Sequence, residues 1–203
     1  IMKRYRYGSL PNVLTAIEFE MMNCAAGSTD GKIVLADGST PKAIGILHCI
    51  GSRDKDHHEY CSRVCCMYAL KFAHLIKEKT EAEVFNFYID LRCFGKGYEE
   101  FYDRLLGEDV RFIRGKVGEI TDLPIHEGEK GKLVVRVEDT LVGVVRRIPV
   151  DMVILCTGLE APRGLPELAK KCSVSVGKDG FIIEKHPKLG PVSTATDGVF
   201  IAG

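Results

Sequence analysis

Four of the chain's eight cysteines lie close together, and they are the side chains with the clearest potential for chemistry. They are Cys49, Cys61, Cys65 and Cys66. Thiolates bind soft metals and take part in redox reactions. The chain carries no secretory signal, so clustered cysteines favour metal or redox chemistry over disulfides. Structural or simply buried cysteines are the alternative that the spacing alone leaves open.

A strand, a polar loop and a helix are the elements that must position these thiols. Residues 43–48 form an apolar run typical of a short buried strand, and Cys49 ends it. Residues 61–79 are predicted to form a helix, on which Cys61 and Cys65 are four residues apart and share a face. The N-terminus of a helix favours thiolate, the form that binds a metal.

The adjacent pair Cys65-Cys66 bears on which metal such a site would hold. One tetrahedral zinc would have to take both neighbouring sulfurs, which is awkward. A cubane offers separate iron corners, so neighbouring cysteines can bind different irons. We therefore favour a [4Fe–4S] cluster over zinc, with a zinc-stapled interaction domain that is not an enzyme as an alternative.

The loop after the first strand is also where a dinucleotide-binding unit carries Gly-x-Gly-x-x-Gly. Here only Gly51 remains of such a motif, and thiols stand in its place. An NAD(P)H-dependent oxidoreductase of the pyridine-nucleotide-disulfide type is a second alternative, but it would need the glycine-rich loop that this sequence lacks. Asp90 and Arg92, after the next strand, are expected to form a salt-bridged loop rather than a ribose site.

Composition is that of an ordinary globular protein. The chain has 203 residues, 45% hydrophobic and 28% charged, with a net charge of zero, so no nucleic-acid partner is predicted. No apolar run reaches about 18 residues, so we expect no membrane span and a cytoplasmic location. The chain begins at Ile1 and stops at Gly203, and we expect both ends to be cut from a longer protein.

Outside the cysteine stretch, strands and helices alternate as in an α/β protein with a parallel sheet. Three β-branched stretches then predict an antiparallel meander, followed by a buried strand. The predicted helices are residues 11–22, 97–106 and 167–171, the predicted strands of the α/β part are 32–35, 83–89, 110–113 and 151–156, the meander strands are 115–121, 132–138 and 142–149, and the C-terminal strands are 180–183 and 198–203.

The motifs also carry a family resemblance. Cys49-Ile-Gly-Ser-Arg-Asp and Tyr60-Cys-Ser-Arg-Val-Cys-Cys-Met-Tyr-Ala-Leu-Lys71 resemble the flavoprotein A subunit of heterodisulfide reductases. They are equally similar to the A subunit of the quinone-interacting membrane-bound oxidoreductase complex. The resemblance continues through the stretch 87–102, through 137–141 and through His186-Pro-Lys-Leu189, so it covers nearly the whole chain.

This resemblance implies a thioredoxin-reductase-like flavoprotein with FAD and iron–sulfur clusters, which passes electrons inside a larger complex. Cys49, Cys61, Cys65 and Cys66 would be the cluster ligands. The implied partners are the other subunits of such a complex, and a homodimer is a further candidate assembly. We expect both cofactors in the intact protein, and an isolated piece to be inactive and to have lost one or both.

The same resemblance implies three parts. Residues 1–41 would connect from the flavin domain, 42–156 would form a Rossmann-like domain of the NAD(P)-binding type, and 157–203 would return to the flavin domain. It also implies flavin-side residues: Glu18, Lys71, Thr157, Gly158 and Gly203. A lysine near the isoalloxazine could stabilise reduced anionic flavin. Solvent exposure is the simpler interpretation of both Glu18 and Lys71.

Overall fold

Five parallel strands form the sheet around which the molecule is built. The computed structural model describes residues 2–202, and the chain divides into two units, Ile1–Gly158 and Leu159–Gly203. The strand order in the first unit is β1-β8-β2-β3-β4. The bounds are β1 Val13–Thr15, β2 Ala43–Ile50, β3 Glu83–Tyr88, β4 Arg111–Arg114 and β8 Met152–Thr157. Every neighbouring pair is parallel.

Helices cover one face of this sheet and a second sheet covers the other. The helices are α1 Ala16–Asn23, α2 Cys65–Lys79 and α3 Tyr98–Gly107. The second sheet is an antiparallel meander of β5 Val117–Thr121, β6 Leu133–Asp139 and β7 Val144–Val150. Two buried clusters separate the layers, one centred on α2 with Ile44 and Ile46, the other on Leu47 with Val135 and Val137. The predicted α/β class, with its parallel sheet and antiparallel meander, is confirmed.

The carboxyl ends of β2, β3 and β8 meet at one edge of the sheet, where α2 begins. This follows from the parallel order, because β2, α2 and β3 form a βαβ unit. All eight residues of β2 are buried, and so are Ala69, Leu70 and Ala73 on the inner side of α2. Ligand sites of open α/β sheets lie at this edge, and here the cysteine stretch occupies it.

Two predictions for the first forty residues are wrong. The sequence predicts one helix over 11–22, but 13–15 form β1 against β8 and the helix begins only at Ala16. Thr15 and Glu18 explain the boundary, because they form a capping box in which each side chain meets the other residue's backbone N–H. Residues 32–35 form no strand, although Ile33 is buried.

The second unit holds helix α4, Leu165–Lys171, as the sequence predicts. The strands predicted at 180–183 and 198–203 do not form among the described residues, where only isolated bridges occur, such as Val176 with Ile182 and Ser193 with Phe200. A single bridge pairs only two residues, so it does not make a β-strand. None of the helices between residues 2 and 202 is both long enough and apolar enough to traverse a bilayer.

Candidate metal centre

The four clustered cysteines line one narrow cavity at the carboxyl edge of the parallel sheet. They come from three places: Cys49 from β2, Cys61 from the loop, and Cys65 and Cys66 from the first turn of α2. The other lining residues are Ser52, Arg53, Ser62, Arg63, Asp90 and Arg92. The structure therefore brings together the four thiols that the sequence singles out.

A β-bulge sets the position of Cys49. The pairing of β2 with β8 shifts register between Leu47 and Ile50, so β2 contains one extra residue there. Strict alternation would put Cys49 on the face of Leu47, towards the meander. Cys49 instead adopts a left-handed backbone with φ of 57°, and it lines the cavity at the start of α2. The bulge therefore places the first thiol.

The helix begins later than the sequence predicts, which changes the position of Cys61. α2 starts at Cys65, and Arg63 just before it has a left-handed φ of 61°, which no α-helix accommodates. The prediction that Cys61 and Cys65 share a helical face is therefore wrong. Cys61 reaches the cavity from the loop, where its Sγ accepts the backbone N–H of Arg63 at 3.4 Å.

The two helical thiols are oriented by carbonyl groups at the strand ends. Cys65 Sγ donates to the Thr157 carbonyl and Cys66 Sγ to the Asp90 carbonyl, both at 3.7 Å. The Tyr68 hydroxyl donates to the same Thr157 carbonyl at 2.7 Å. The adjacent cysteines thus contact backbone that follows or ends different strands, Cys65 that of β8 and Cys66 that after β3.

Burial dominates the acidity of these thiols in the metal-free chain. Burial, with a smaller effect of the neighbouring thiols, raises the pKa of Cys49 to about 12. Burial likewise raises the pKa of Cys65 and of Cys66. The expected preference for thiolate at the helix N-terminus is therefore outweighed by desolvation. Three of the four thiols are neutral at pH 7 in the metal-free state, and their ionisation needs a cation in the cavity.

The four thiols do not form a ready-made site for a single metal ion. Among residues 2–202, no three His, Cys, Asp or Glu side chains are grouped so as to hold one metal ion. The four thiols surround a cavity without converging on one point. Four cysteines are the donor set of a [4Fe–4S] cluster, in which each sulfur binds its own iron. The cavity is narrow, so its side chains must separate to admit a cubane.

Ion pairs hold the loop that carries the cavity's polar residues. Asp54 accepts Lys116 Nζ at 2.5 Å and the backbone N–H of Asp56 at 3.0 Å. Asp90 accepts Arg53 at 2.8 Å and Arg114 at 3.1 Å, so the predicted ion pairing is found for Asp90, with these two arginines as its partners. The pKa of Asp90 is lowered, first by the hydrogen bond from Arg53 and then by that from Arg114.

Gly158 permits close contact between the end of β8 and the cysteine loop. A Cβ at this position would overlap the hydroxyl oxygens of Ser52 and Ser62, which are hydrogen-bonded to each other at 2.8 Å. Any larger residue would push these two serines apart. The sequence suggests Gly158 only as part of a Thr-Gly turn, whereas the structure gives it a packing role at the cavity.

The flavin-side candidates make structural contacts in this chain. Lys71 Nζ lies 2.6 Å from Glu20, and both side chains are nearly half exposed, at 46% and 45%. Glu18 accepts hydrogen bonds from Thr15 in the capping box and from the Tyr7 hydroxyl at 2.8 Å. Thr157 offers its carbonyl to Tyr68 and Cys65. Gly203 lies outside the described residues.

The positive charge of the residues that line the cavity is not apparent from the sequence. Arg53, Arg63 and Arg92 all line it, and sequence reasoning considers only Arg92, in another role. Each lies within a few residues of a cysteine or a strand end in the sequence. A count of charged residues in the cysteine stretch could have found Arg53 and Arg63, but only the fold shows that they face the thiols.

Curated relatives match almost the whole chain. The A subunit of the H(2):CoB-CoM heterodisulfide,ferredoxin reductase of Methanothermobacter thermautotrophicus is 48% identical over 203 residues, which is 98% of this chain and 30% of the relative. The second iron-sulfur A subunit of the CoB--CoM heterodisulfide reductase of Methanopyrus kandleri is 46% identical, over 99% of this chain and 31% of the relative. The chain thus spans about 30% of the length of these relatives.

A further relative and one solved structure show lower similarity. The A subunit of the Ferredoxin/F(420)H(2)-dependent CoB-CoM heterodisulfide reductase of Methanosarcina acetivorans is 40% identical over 99% of this chain and 25% of the relative. Among solved structures, T. acidophilum thioredoxin reductase superposes with a TM-score of 0.47 and 18% identity, over 80% of this chain and 43% of the other. No family model matches the chain.

Proposed function

We propose that the chain, which matches about 30% of the length of heterodisulfide reductase A subunits at 46–48% identity, belongs to their family and carries an iron–sulfur electron-transfer site of such a protein. The ligands would be Cys49, Cys61, Cys65 and Cys66, and the group a [4Fe–4S] cluster. The name of the Methanopyrus relative, which includes the words iron-sulfur, agrees with this proposal.

The observation that carries the proposal is that four cysteines from a bulged strand, a loop and a helix line a single cavity. Chance burial does not explain the left-handed backbone at Cys49, since strain of this kind is usually found at functional sites. The other four cysteines, all within the described part of the chain, do not line this cavity.

The protein itself positions the four thiols, shields them from water and places positive charge beside them. β2, β8 and α2 fix the thiols, and the buried strands exclude water from the inner side of the cavity. Three arginines supply positive charge beside the four sulfurs, of which those of Cys49, Cys65 and Cys66 become thiolates only with metal bound. When bound, a cluster of this type would supply one-electron transfer.

The wider assignment is part of the same proposal. In the longer protein, residues 1–41 and 157–203 would belong to the flavin domain and 42–156 to the Rossmann-like domain. FAD would lie near Glu18, Lys71, Thr157, Gly158 and Gly203, and electrons would pass between flavin and cluster. The residues between 2 and 202 contain no glycine-rich pyrophosphate loop, so FAD would depend on other parts of the protein.

The proposed setting is a redox complex in the cytoplasm, with other subunits as electron donors and acceptors. A homodimer of the whole protein is part of the proposed assembly. Family membership supports the other subunits as partners, because each of the three relatives is itself the A subunit of a reductase.

Anaerobic reconstitution with iron and sulfide tests the proposal. The chain should take up about four irons and four sulfides and give an EPR signal on reduction with dithionite. Replacing Cys49, Cys61, Cys65 or Cys66 singly by Ser should cut the iron content by half or more. Cys93→Ser is the matched control, because Cys93 is a partly buried thiol outside the cavity.

Two results would contradict the proposal. One is stoichiometric zinc in place of iron after exposure to both metals under anaerobic conditions. The other is a double variant, Cys65→Ser with Cys66→Ser, that keeps its iron and EPR signal while Cys93→Ser loses them.

A further inference from the structure

One guanidinium nitrogen at the cavity is buried and has no hydrogen-bond partner. Arg53 Nη1 is inaccessible to solvent and meets no acceptor among residues 2–202. Its neighbour Nη2 donates to Asp90 Oδ2 at 2.8 Å, so the plane of the guanidinium is fixed. A buried donor without an acceptor carries a desolvation penalty, and the penalty is larger when the group is charged. Its presence here indicates that an acceptor is missing.

The residues that line the cavity with Arg53 indicate which groups are available to accept a hydrogen bond from Nη1. The side chain lines the cavity with Cys49, Cys61, Cys65 and Cys66. Burial lowers the pKa of Arg53, but the hydrogen bond to Asp90 outweighs it, and Cys49 and Cys61 are close enough to raise it further. Among the groups that line the cavity with Arg53 are four sulfurs, which are weak acceptors as thiols and strong ones as thiolates.

The backbone holds Arg53 in this position. Its φ is 53°, in the left-handed region, and its N–H donates to the Tyr60 carbonyl at 3.0 Å. Residues other than glycine rarely adopt this region, because Cβ then lies too close to a carbonyl oxygen. The loop therefore keeps a strained conformation that directs this arginine towards the cavity.

Two other arginines near the cavity make different contacts from those of Arg53. The Arg63 guanidinium lies 4.8 Å from the centre of the Phe94 ring, over its face. Arg114 pairs with the other oxygen of Asp90, does not line the cavity, and its side chain is 45% exposed, compared with 22% for Arg53. Within residues 2–202, Arg53 is thus the guanidinium with a free, buried donor at the thiols.

We infer that Arg53 is a positioning residue that donates a hydrogen bond from Nη1 to a sulfur of the metal-bound site and raises the midpoint potential of that site. The inference rests on the proposed function, since the acceptor becomes a strong one only when metal is bound. One-electron reduction adds one negative charge to the cluster, breaks no protein bond, and is favoured by a fixed positive donor at a sulfur.

A redox titration followed by EPR tests this on the reconstituted chain. Arg53→Gln removes the charge and the donor pair, and its midpoint potential should fall by about 59 mV, a tenfold change in a one-electron equilibrium. Arg53→Lys keeps the charge but loses the planar donor, and should lie between Arg53→Gln and wild type. Arg114→Gln removes the other partner of Asp90 and should shift the equilibrium by less than a factor of about two, or about 18 mV by the same constant.

Iron content and thermal unfolding of each variant accompany the titration. If wild type takes up no iron–sulfur cluster, the proposed function and the role of Arg53 both fail. If all chains load equally but Arg53→Gln titrates with wild type, only the role of Arg53 is overturned. If Arg53→Gln does not fold, the decision rests on Arg53→Lys, and a potential equal to that of wild type overturns the hydrogen bond.

Discussion

At the scale of single residues, the cavity depends on backbone conformations that are unusual for the residue types that adopt them. Cys49, Arg53 and Arg63 all have left-handed φ values, at 57°, 53° and 61°. Strained residues of this kind cost about 1–3 kcal/mol each. The buried strand β2 and the ion pairs of the loop offset this cost, and the strain points each side chain at the site.

Gly158 gives the prediction at this scale. Gly158→Ala should destabilise the chain by about 1–3 kcal/mol, the usual cost of overpacking, because the new methyl group collides with the hydroxyls of Ser52 and Ser62. Urea unfolding measures the change. Gly128→Ala is the control, since a Cβ there meets no atom within 4 Å. Equal stability of the two variants would show that the serines move aside freely.

At the scale of elements, a short 3-10 turn at Glu127–Glu129 is joined to β7. Glu129 accepts two parallel hydrogen bonds from Arg147, both at 2.8 Å, and a third from the Ile125 N–H at 2.7 Å. These bonds, led by the one from Arg147, lower the pKa of Glu129 to about 2. The pair fixes the long connection between β5 and β6 against the third strand of the meander.

This pair makes stability depend on pH in one direction. A carboxylate with a lowered folded-state pKa stabilises the fold fully above its unfolded pKa of about 4.3, and the effect is lost as pH falls towards about 2. Glu129→Gln should therefore lower the melting temperature at pH 7, and the difference from wild type should shrink between about pH 4.5 and about pH 2.5. Thermal unfolding at neutral and acidic pH checks this. Glu127→Gln, an exposed neighbour, should show little effect.

Sequence patterns predict most of these elements but not the local geometry of the site. Apolar runs and β-branched stretches predict β2, β3, β8 and the meander, because these strands are buried or alternate clearly. The bulge at Cys49 and the start of α2 at Cys65 are not predicted in this way. Both depend on residues other than glycine that adopt a left-handed backbone conformation, and the residue type does not indicate that conformation. The grouping of the four thiols could be predicted, whereas the free donor of Arg53 could not.

At the scale of the whole molecule, the parallel sheet has cysteine and arginine side chains at the edge where dinucleotide-binding sheets have a glycine-rich turn. In dinucleotide-binding sheets, the pyrophosphate binds between the end of a strand and the start of the next helix, against glycine backbone. The corresponding position here lies between the end of β2 and the start of α2. In this chain the same place is lined by cysteine and arginine side chains. The fold therefore positions thiols and guanidinium groups at the edge that holds the dinucleotide in nucleotide-binding sheets.

The prediction at this scale concerns nicotinamide nucleotides. The chain should bind NADH and NADPH with dissociation constants above about 1 mM, because no glycine-rich turn lets the backbone approach a pyrophosphate. Isothermal titration calorimetry measures this, with a thioredoxin reductase as positive control. A micromolar dissociation constant for either nucleotide would contradict this prediction and favour the alternative of an NAD(P)H-dependent oxidoreductase of the pyridine-nucleotide-disulfide type.

The ion pair between Asp54 and Lys116 joins two parts of the chain that are synthesised at different times. Synthesis runs from the N-terminus, so all four cysteines are translated before Lys116. β8, which supplies the Thr157 carbonyl to Cys65, follows later still. During translation the cysteines are therefore present before the cavity that separates and orients them. A metal held by the four thiols in this arrangement would therefore be bound only after β8 has been synthesised.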